Sequence, residues 1–474
     1  MATSRQYPDD IFVEGKFQTD EVLEVTDLAA GGTFAQVGAA GPDEARDAID
    51  AAHRAQREMR ETTLVQRAEW LETIADEIES RKAELADIIV REAGKPISSA
   101  RGEVDSAVER FRRAVEEVHD LQGEFLEGTT AGHEGWKAIV KPQPVGTVLA
   151  LTPYNYPLAT TALQVAPALA GGNSVVLKPA TKTPVSAAVL ADCIEAADLP
   201  DGAFNYVAGR ASDIGDVLAG DDRIDAIAMT GSSAAGKHVA RESGMVNLHM
   251  ELGGNAPAVI FPDADLTDAV GQCAKGSFKY AGQRCSAVSR VLAHEDVHDE
   301  MVDLLDAEMD NWEAGDLFDE ETTFGPLISE EQADYVEELI ADAVEKGADL
   351  VRGGEREGQF VEPTLLANVP HDARLIHEEQ FGPIAVVTKF EDEAEALELA
   401  NAGDMGLDAA VFTADYDRAM DVAERIEAGA VRINGAPSHG LGDIPFGGVK
   451  DSGIGREGLG YSIEAFVTTK SIVL

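Results

Sequence analysis

Apolar positions along the chain follow two periods, and the change from one to the other marks its organisation. Up to residue 125 the period is helical. From Asp43, read as an N-cap, Ala45, Ala48, Ile49, Ala52 and Ala55 fall on one face; Leu71, Ile74, Ala75 and Ile78 repeat the spacing, and a further helix is expected over 103–121. After a Gly/Thr-rich turn at 128–135 the texture becomes β, with β-branched runs at 137–140 and 145–151 broken by Pro142 and Pro144. Strands at 174–177, 204–208 and 226–229 then alternate with helices at 159–170, 184–197, from 212 and from 234. Such alternation predicts βαβ units and a parallel, doubly wound sheet.

A second alternation begins after Gly254, with strands at 256–261, 288–293, 384–390, 409–413 and 430–434 and helices at 266–278, 297–311, 331–346, 393–401 and 416–427. It is long enough for a second α/β domain. The closing stretch 462–474, rich in Val, Ile, Thr and Phe, reads as an edge strand in need of a partner, either another subunit or the region around Lys137.

A chain of 474 residues suits about three domains, or two large ones with an appendage. With 44% hydrophobic residues it can build a core, yet no apolar run approaches the ~20 residues that would cross a bilayer. The charge balance is lopsided: 38 Lys and Arg against 87 Asp and Glu give −49 and a pI near 4.4. Such a surface repels phosphate backbones and anionic lipids, so nucleic acid and membrane are excluded as partners. Acid spread over a folded chain is suited to high salt, where a Debye length of about 3 Å at 1 M removes self-repulsion, and a halophilic source is expected. The first ten residues lack the basic start and apolar run of a secretory signal, and three cysteines cannot make a disulfide framework, so the expectation is a cytoplasmic protein.

Those cysteines differ. Cys193 lies on a stripe with Val189, Leu190, Ile194 and Ala197, and Cys273 follows Ala269 and Val270 in the same way; both read as core. Cys285 sits in Ala281-Gly282-Gln283-Arg284-Cys285-Ser286, between a helix and a strand, where glycine lets a ligand approach the backbone and Arg284 adds positive potential favouring thiolate. It is either a nucleophile or a loop cysteine of no consequence. Glu251 opens Glu251-Leu252-Gly253-Gly254-Asn255 at the junction of the two α/β halves, where open sheets bind ligands. There it is either a general base with raised pKa or a carboxylate ending a strand. Gly231-Ser232-Ser233-Ala234-Ala235-Gly236-Lys237-His238 follows a strand and opens a helix, a setting for phosphate. A P-loop would need Ser or Thr where His238 stands, so a nucleotide hydrolase with Asp263 as its second acid is disfavoured. No metal site is expected, because neither cysteine spacing nor the ten histidines make a ligand set.

Taken together, four blocks resemble the aldehyde dehydrogenase superfamily over essentially the whole chain: Thr152-Pro153-Tyr154-Asn155-Tyr156-Pro157, Glu251-Leu252-Gly253-Gly254, Gly282-Gln283-Arg284-Cys285 and Glu378-Glu379-Gln380-Phe381-Gly382-Pro383. Leu177-Lys178-Pro179-Ala180 and the glycine-rich stretch 445–453 add to them. The surroundings of Cys285 and the Asn155-Tyr156 pair are most similar to the branch of non-phosphorylating glyceraldehyde-3-phosphate dehydrogenases and lactaldehyde dehydrogenases. The resemblance implies two Rossmann-like α/β domains plus a small β oligomerisation arm. The cofactor-binding domain would take 1–126 and 145–253, the catalytic domain 254–456, and the arm 127–144 with 457–474, the arm building a homodimer or homotetramer.

The resemblance also implies roles. Cys285 would attack the aldehyde, Asn155 and the Cys285 N–H would hold the oxyanion, and Glu251 would activate water to hydrolyse the thioester. NADP or NAD would lie against Thr152, Pro153, Tyr154, Lys178, Ala180, Gly209, Gly231, Ser232, Leu252, Glu379 and Phe381. Many NAD-preferring members carry glutamate after Lys-Pro-Ala; here it is Thr181, followed by Lys182, so NADP use at least comparable with NAD is expected. Tyr156, Arg284, Arg112, Ser286 and His439 would face the substrate, a short hydroxy- or phospho-aldehyde such as glyceraldehyde 3-phosphate or lactaldehyde. His439 stands where another arginine is expected, which weakens the phosphate case. Alternatives are a semialdehyde or betaine-type aldehyde, an acylating enzyme, which would lack Glu251, or a non-catalytic binding protein on the same fold.

Overall fold

The computed structural model describes residues 10–17, 19, 21–437, 444–458 and 460–474. Its first large sheet has five parallel strands at the centre, in the order Phe204–Tyr206, Ser174–Lys178, Thr147–Leu151, Ala226–Thr230 and Asn247–Glu251. Both faces are covered. Val148, Ala150, Val175 and Leu177 point into one core, with the helices Leu64–Ser80, Lys82–Ala93, Ile97–Asp120, Ala159–Ala170 and Val185–Glu195. Their neighbours Leu149 and Val176 point into the other, with Pro42–Met59 and Ala211–Ala219. This period-two division of the strands' apolar residues between two cores is what a parallel sheet covered on both faces requires.

A second sheet repeats the plan, in the order Asp349–Arg352, Thr364–Ala367, Ile384–Phe390, Val288–His294, Ala256–Ile260, Asp408–Phe412 and Ala430–Ile433, parallel except for its first strand. The strands Asn247–Glu251 and Ala256–Ile260 belong to different sheets, and only residues 252–255 separate them. Late in the chain, Gly453–Ile454 returns to pair antiparallel with Met250 and Glu251 at the edge of the first sheet. The third sheet is an antiparallel arm of Val467–Val473, Lys137–Pro144 and Glu124–Glu127, paired from Val467 opposite Pro144 to Val473 opposite Ala138. The closing strand thus takes the Lys137 region as its partner within the chain.

Three local expectations are corrected. The first 125 residues are not all helical: Val22–Thr26 pairs with Thr33–Gly38, with Leu23 and Val25 buried between exposed Val22, Glu24 and Thr26, a period of two. The first helix is capped by Gly41 rather than Asp43; Pro42 takes the first helical position, and the Glu44 carboxylate accepts from the Gly41 N–H at 2.9 Å. The closing strand starts at Val467, because Ile463–Phe466 forms a 3-10 turn that buries Ile463 and Phe466.

Among the described residues no helix is long and apolar enough to cross a membrane, and no group of three or more His, Cys, Asp or Glu could hold a metal.

Candidate active site

The two sheets meet at a cavity of about 980 Å³ whose wall carries Cys285, Glu251 and Asn155 together. Each arrives on a different element. Glu251 ends a strand of the first sheet, Asn155 follows the strand Thr147–Leu151, and Cys285 lies in the turn before Val288–His294 of the second sheet. That turn is tightly held. Tyr280, Ala281 and Gly282 have φ of 57°, 51° and 70°, a left-handed run costly for the two non-glycine residues. It is fixed by Tyr280, whose hydroxyl donates to the Ala93 carbonyl at 2.7 Å, and by Gln283, whose Oε1 accepts from the Ile328 N–H at 2.9 Å. A side chain at Gly282 would collide with the Gly382 carbonyl, so the turn lies directly against the loop bearing Glu379 and Phe381.

Electrostatics set the resting state. Burial first, then the charge of Glu251, pushes the Cys285 thiol up to about 12. Glu251 is buried, neither carboxylate oxygen has a hydrogen-bond partner, and burial followed by neighbouring Glu457 holds it well above the ordinary carboxylate range, with Arg456 opposing. The Asn155 Nδ2 donates to the Gln283 carbonyl at 2.9 Å. The Ser286 hydroxyl lies 3.9 Å from the Cys285 sulfur.

One end of the cavity has the features a dinucleotide needs. Gly231 and Ser232 line it where the helix Ser233–Glu242 begins, so the positive end of the helix dipole meets the space; the Gly231 N–H donates to the Glu251 carbonyl at 3.1 Å, and Ser232 caps the helix, accepting from the Ala235 N–H at 3.3 Å. Thr152, Pro153, Tyr154, Ala180 and Leu252 are on the same wall. Tyr154 and Phe381 meet edge to face at 5.8 Å. Burial raises Glu379 to about 7, and its Oε1 accepts from the Gly254 N–H at 3.0 Å. Gly253 leaves room beside it, since an added Cβ would come within 2.5 Å of Oε2. Gln332 and Tyr335, which the sequence patterns missed, hold this loop by donating to the backbone of Gln380 and Phe381 and to Glu378. Lys178, Thr181 and Gly209 are not on the wall. Lys178 ends its strand with Nζ on the Pro179 carbonyl at 3.2 Å and is lowered to about 8 by burial, while the Thr181 hydroxyl donates to the Gly209 carbonyl at 3.1 Å.

Beside Cys285 the wall carries both signs, and the expected favouring of thiolate by Arg284 is corrected: burial and the carboxylates of Glu251, Glu379 and Glu457 raise the thiol instead. Arg284 lines it, with Nη2 donating at 2.6 Å to the Gly276 carbonyl at the end of the helix Leu266–Phe278, where a cation is favoured. Tyr156 lines it too, backed by the Lys95 Nζ 3.5 Å from its ring centre. Arg112 is a correction: it lies exposed, paired with Glu79 and with Asp76 at 3.5 Å, because two residues turn about 200° around a helix and carry it off the buried face. Arg110 is the cavity residue instead. It is buried, its Nη2 bridges both Glu117 oxygens at 3.1 Å, and its Nε and Nη1 have no hydrogen-bond partner. One weak signal could have found it: Glu103, Arg110 and Glu117 recur every seven residues among Ala107, Phe111, Ala114 and Val118, charges on an apolar stripe. His439 lies outside the described residues. His238 and Asp263, the residues of the hydrolase alternative, are bound away from the cavity, to Asp216 at 2.7 Å and to Thr413 and Arg418 at 2.9 Å.

Known proteins share this arrangement of sheets. The chain is 38% identical over 472 residues to the NADP-dependent glyceraldehyde-3-phosphate dehydrogenase of Streptococcus equinus, covering 99% of each. It is 39% identical over 456 residues to an NADP-dependent succinate-semialdehyde dehydrogenase of Escherichia coli, covering 95% of this chain and 94% of that one. The crystal structure of the Bacillus halodurans NADP-dependent glyceraldehyde-3-phosphate dehydrogenase complexed with NADP superposes with a TM-score of 0.97 at 35% identity, covering 99% of both chains. Residues 15–472 match the profile of the aldehyde dehydrogenase family, and with the cysteine, carboxylate and amide converging on one cavity between two parallel sheets, the chain belongs to that family.

Proposed function

We propose that this aldehyde dehydrogenase oxidises a short hydroxy- or phospho-aldehyde, such as glyceraldehyde 3-phosphate or lactaldehyde, to the free acid with NADP or NAD. The observation that carries the substrate class is the grouping of Arg110, Arg284 and Tyr156 on one cavity wall, which favours an anionic or hydroxylated end. The same wall favours a carboxylate-bearing semialdehyde as a second reading, and disfavours a cationic betaine-type aldehyde.

The chemistry follows from the three converging residues. Cys285 gives its thiol proton to water in the cavity, attacks the aldehyde carbon as thiolate and forms a thiohemiacetal. The Asn155 amide and the Cys285 N–H hold its oxyanion, donors worth roughly 3–4 kcal/mol each. A bound nicotinamide supplies the hydride acceptor, and the cradle of Gly231, Ser232, Glu379 and Phe381 fits it. Cys285 then carries the acyl group as a thioester, and Glu251 takes a proton from water as that water attacks. Splitting oxidation from hydrolysis gives each step a lower barrier than a direct reaction would have. Thr181, neutral where a carboxylate would repel a 2′-phosphate, supports NADP.

In the same reading residues 1–126 with 145–253 form the cofactor domain, 254–456 the catalytic domain, and 127–144 with 457–474 an arm joining protomers into a homodimer or homotetramer. Supporting the arm's role, Trp136, Ile139, Ile472, Val473 and Leu474 are exposed on it. A cytoplasmic setting, where thiols stay reduced, and a halophilic source complete the proposal.

A spectrophotometric screen of phospho-, hydroxy- and carboxy-aldehydes with both cofactors in molar KCl tests it. Turnover of a phospho- or hydroxy-aldehyde that is lost on Cys285→Ala is the expected result. Undiminished turnover after that substitution, or no activity of the folded enzyme across the panel, refutes it.

A further inference from the structure

Glu251 must be emptied once per turnover. Hydrolysis of a thioester by water leaves the general base holding a proton, and the thioester of the next turnover cannot be hydrolysed until that proton departs. The surroundings of Glu251 hold a feature that the chemistry above does not use. Alternate residues of a strand share a face, so in Asn247–Glu251 the side chains of His249 and Glu251 lie on one side while Leu248 and Met250 pack into the core on the other. His249 and Glu251 are both buried. Glu457 stands beside them: it lines the main cavity with Glu251, its charge acts on Glu251, and its Oε1 lies 3.7 Å from the His249 Nε2. Its backbone is fixed by paired hydrogen bonds with Phe446, at 2.6 and 2.9 Å.

His249 also lines a second cavity, of about 500 Å³, shared with Arg456, Tyr461 and Glu464 and separate from the one that holds Cys285. On the Nδ1 side of the ring stands Gly455, where an added Cβ would come within 2.7 Å of Nδ1, and the Phe466 ring flanks the imidazole at 6.3 Å. The groups facing His249 are therefore Glu251 on its own strand, Glu457 and Arg456 on the returning segment, and Tyr461 and Glu464 across the second cavity.

We propose that His249 is a proton-relay residue that connects Glu457 to the second cavity and drains the proton which Glu251 takes from water. The proton passes from the Glu251 carboxyl, through water in the cavity that both carboxyls line, to the Glu457 carboxylate, then to His249 Nε2, and the imidazolium gives up its Nδ1 proton to water in the second cavity. No electrons move, each carboxylate returns to its starting charge, and the imidazole resets by exchanging tautomers. A separation of 3.7 Å is one small rotation, or one bridging water, from transfer distance. The relay rests on Glu251 being the base.

The test follows the lifetime of the Cys285 acyl-enzyme, trapped by acid quench in the full enzyme and read by mass spectrometry, alongside the initial burst of reduced cofactor. His249→Gln and His249→Asn are expected to keep the burst and lengthen the acyl-enzyme lifetime about tenfold or more, with imidazole in the buffer restoring most of the loss. Glu457→Gln is expected to lengthen it as well, and the double substitution to add little. An unchanged lifetime in both histidine variants, or a loss that imidazole does not relieve while the burst falls in parallel, overturns the relay. Glu251→Gln separates the two ideas: if it leaves the lifetime unchanged, the base assignment fails, whereas a long lifetime there with normal histidine variants refutes only the route.

Discussion

The side-chain amide of Asn155 donates at 2.9 Å to the carbonyl of Gln283, two residues before Cys285. The proposed oxyanion donor and the turn of the proposed nucleophile are thereby tied together before any aldehyde arrives, and preorganisation of this kind is what makes such donors effective. Asn155→Ala should lower kcat by about 10²–10³ while changing KM little. Steady-state kinetics with circular dichroism as a folding check would show it, and a loss confined to KM would contradict the oxyanion role.

A base acts only when deprotonated. Burial, and after it Glu457, raises the Glu251 pKa, so hydrolysis of the acyl-enzyme should rise with pH along a limb above the ordinary carboxylate value of 4.5. Glu251→Gln should abolish the limb, and Glu457→Gln should move it toward lower pH. Because the folded state binds this proton more tightly than the unfolded chain, the same group costs stability as pH rises from the ordinary value toward the raised one. A pH–rate profile flat from 5 to 9 in the parent enzyme would contradict the assignment.

Cofactor choice should turn on one position. Thr181→Glu restores a carboxylate that repels a 2′-phosphate, and it is expected to reduce kcat/KM with NADP at least tenfold while sparing NAD. Initial rates with both cofactors at saturating aldehyde decide this; equal losses for the two would remove position 181 from cofactor selection.

For the anionic subsite, Arg110→Gln and Arg284→Ala should raise KM for a phosphorylated aldehyde far more than for propanal. A buried guanidinium that pairs an anion is worth about 2–4 kcal/mol, or roughly 30–1,000-fold. Glu117 would lose its partner in the first variant, so propanal turnover serves as the control. Equal effects on both aldehydes would assign Arg110 to packing alone.

Stability should depend on salt. At −49, self-repulsion is screened over about 3 Å at 1 M salt, and melting temperature is expected to climb steeply from dilute buffer to molar KCl. The same melting temperature in both would refute the halophilic reading.

How much of this was legible without coordinates differs by element. Strands built on short apolar runs, residues 175–177 within Ser174–Lys178 and 384–387 within Ile384–Phe390, announced themselves, and Leu266–Phe278 was bounded correctly by its periodicity. The Val22–Thr26 hairpin was hidden, because one alternating run of five residues is weak beside the long helices that follow. Site residues next to glycine-rich turns, Glu251 and Cys285 among them, were visible as motifs. Arg110 was hidden because a single cation on a long helix resembles a solvated one, and only the seven-residue recurrence with Glu103 and Glu117 separates it from Arg112. Glu457 and His249 had no local signal at all: one follows a glycine-rich stretch, the other sits in an ordinary strand, and the antiparallel return of Gly453–Ile454 alone makes them neighbours.

The short crossover at residues 252–255 has a mechanical meaning. Glu251 rides on one sheet and Cys285 on the other, so the reacting geometry serves as a gauge of how the two halves are seated. A displacement of about 1 Å between them, caused by a substitution remote from any reacting atom or by a molecule wedged in the seam, would throttle hydrolysis about 10²-fold while every chemical group stayed in its own pocket. Inhibitors of this enzyme therefore need not resemble its substrate; a wedge would suffice.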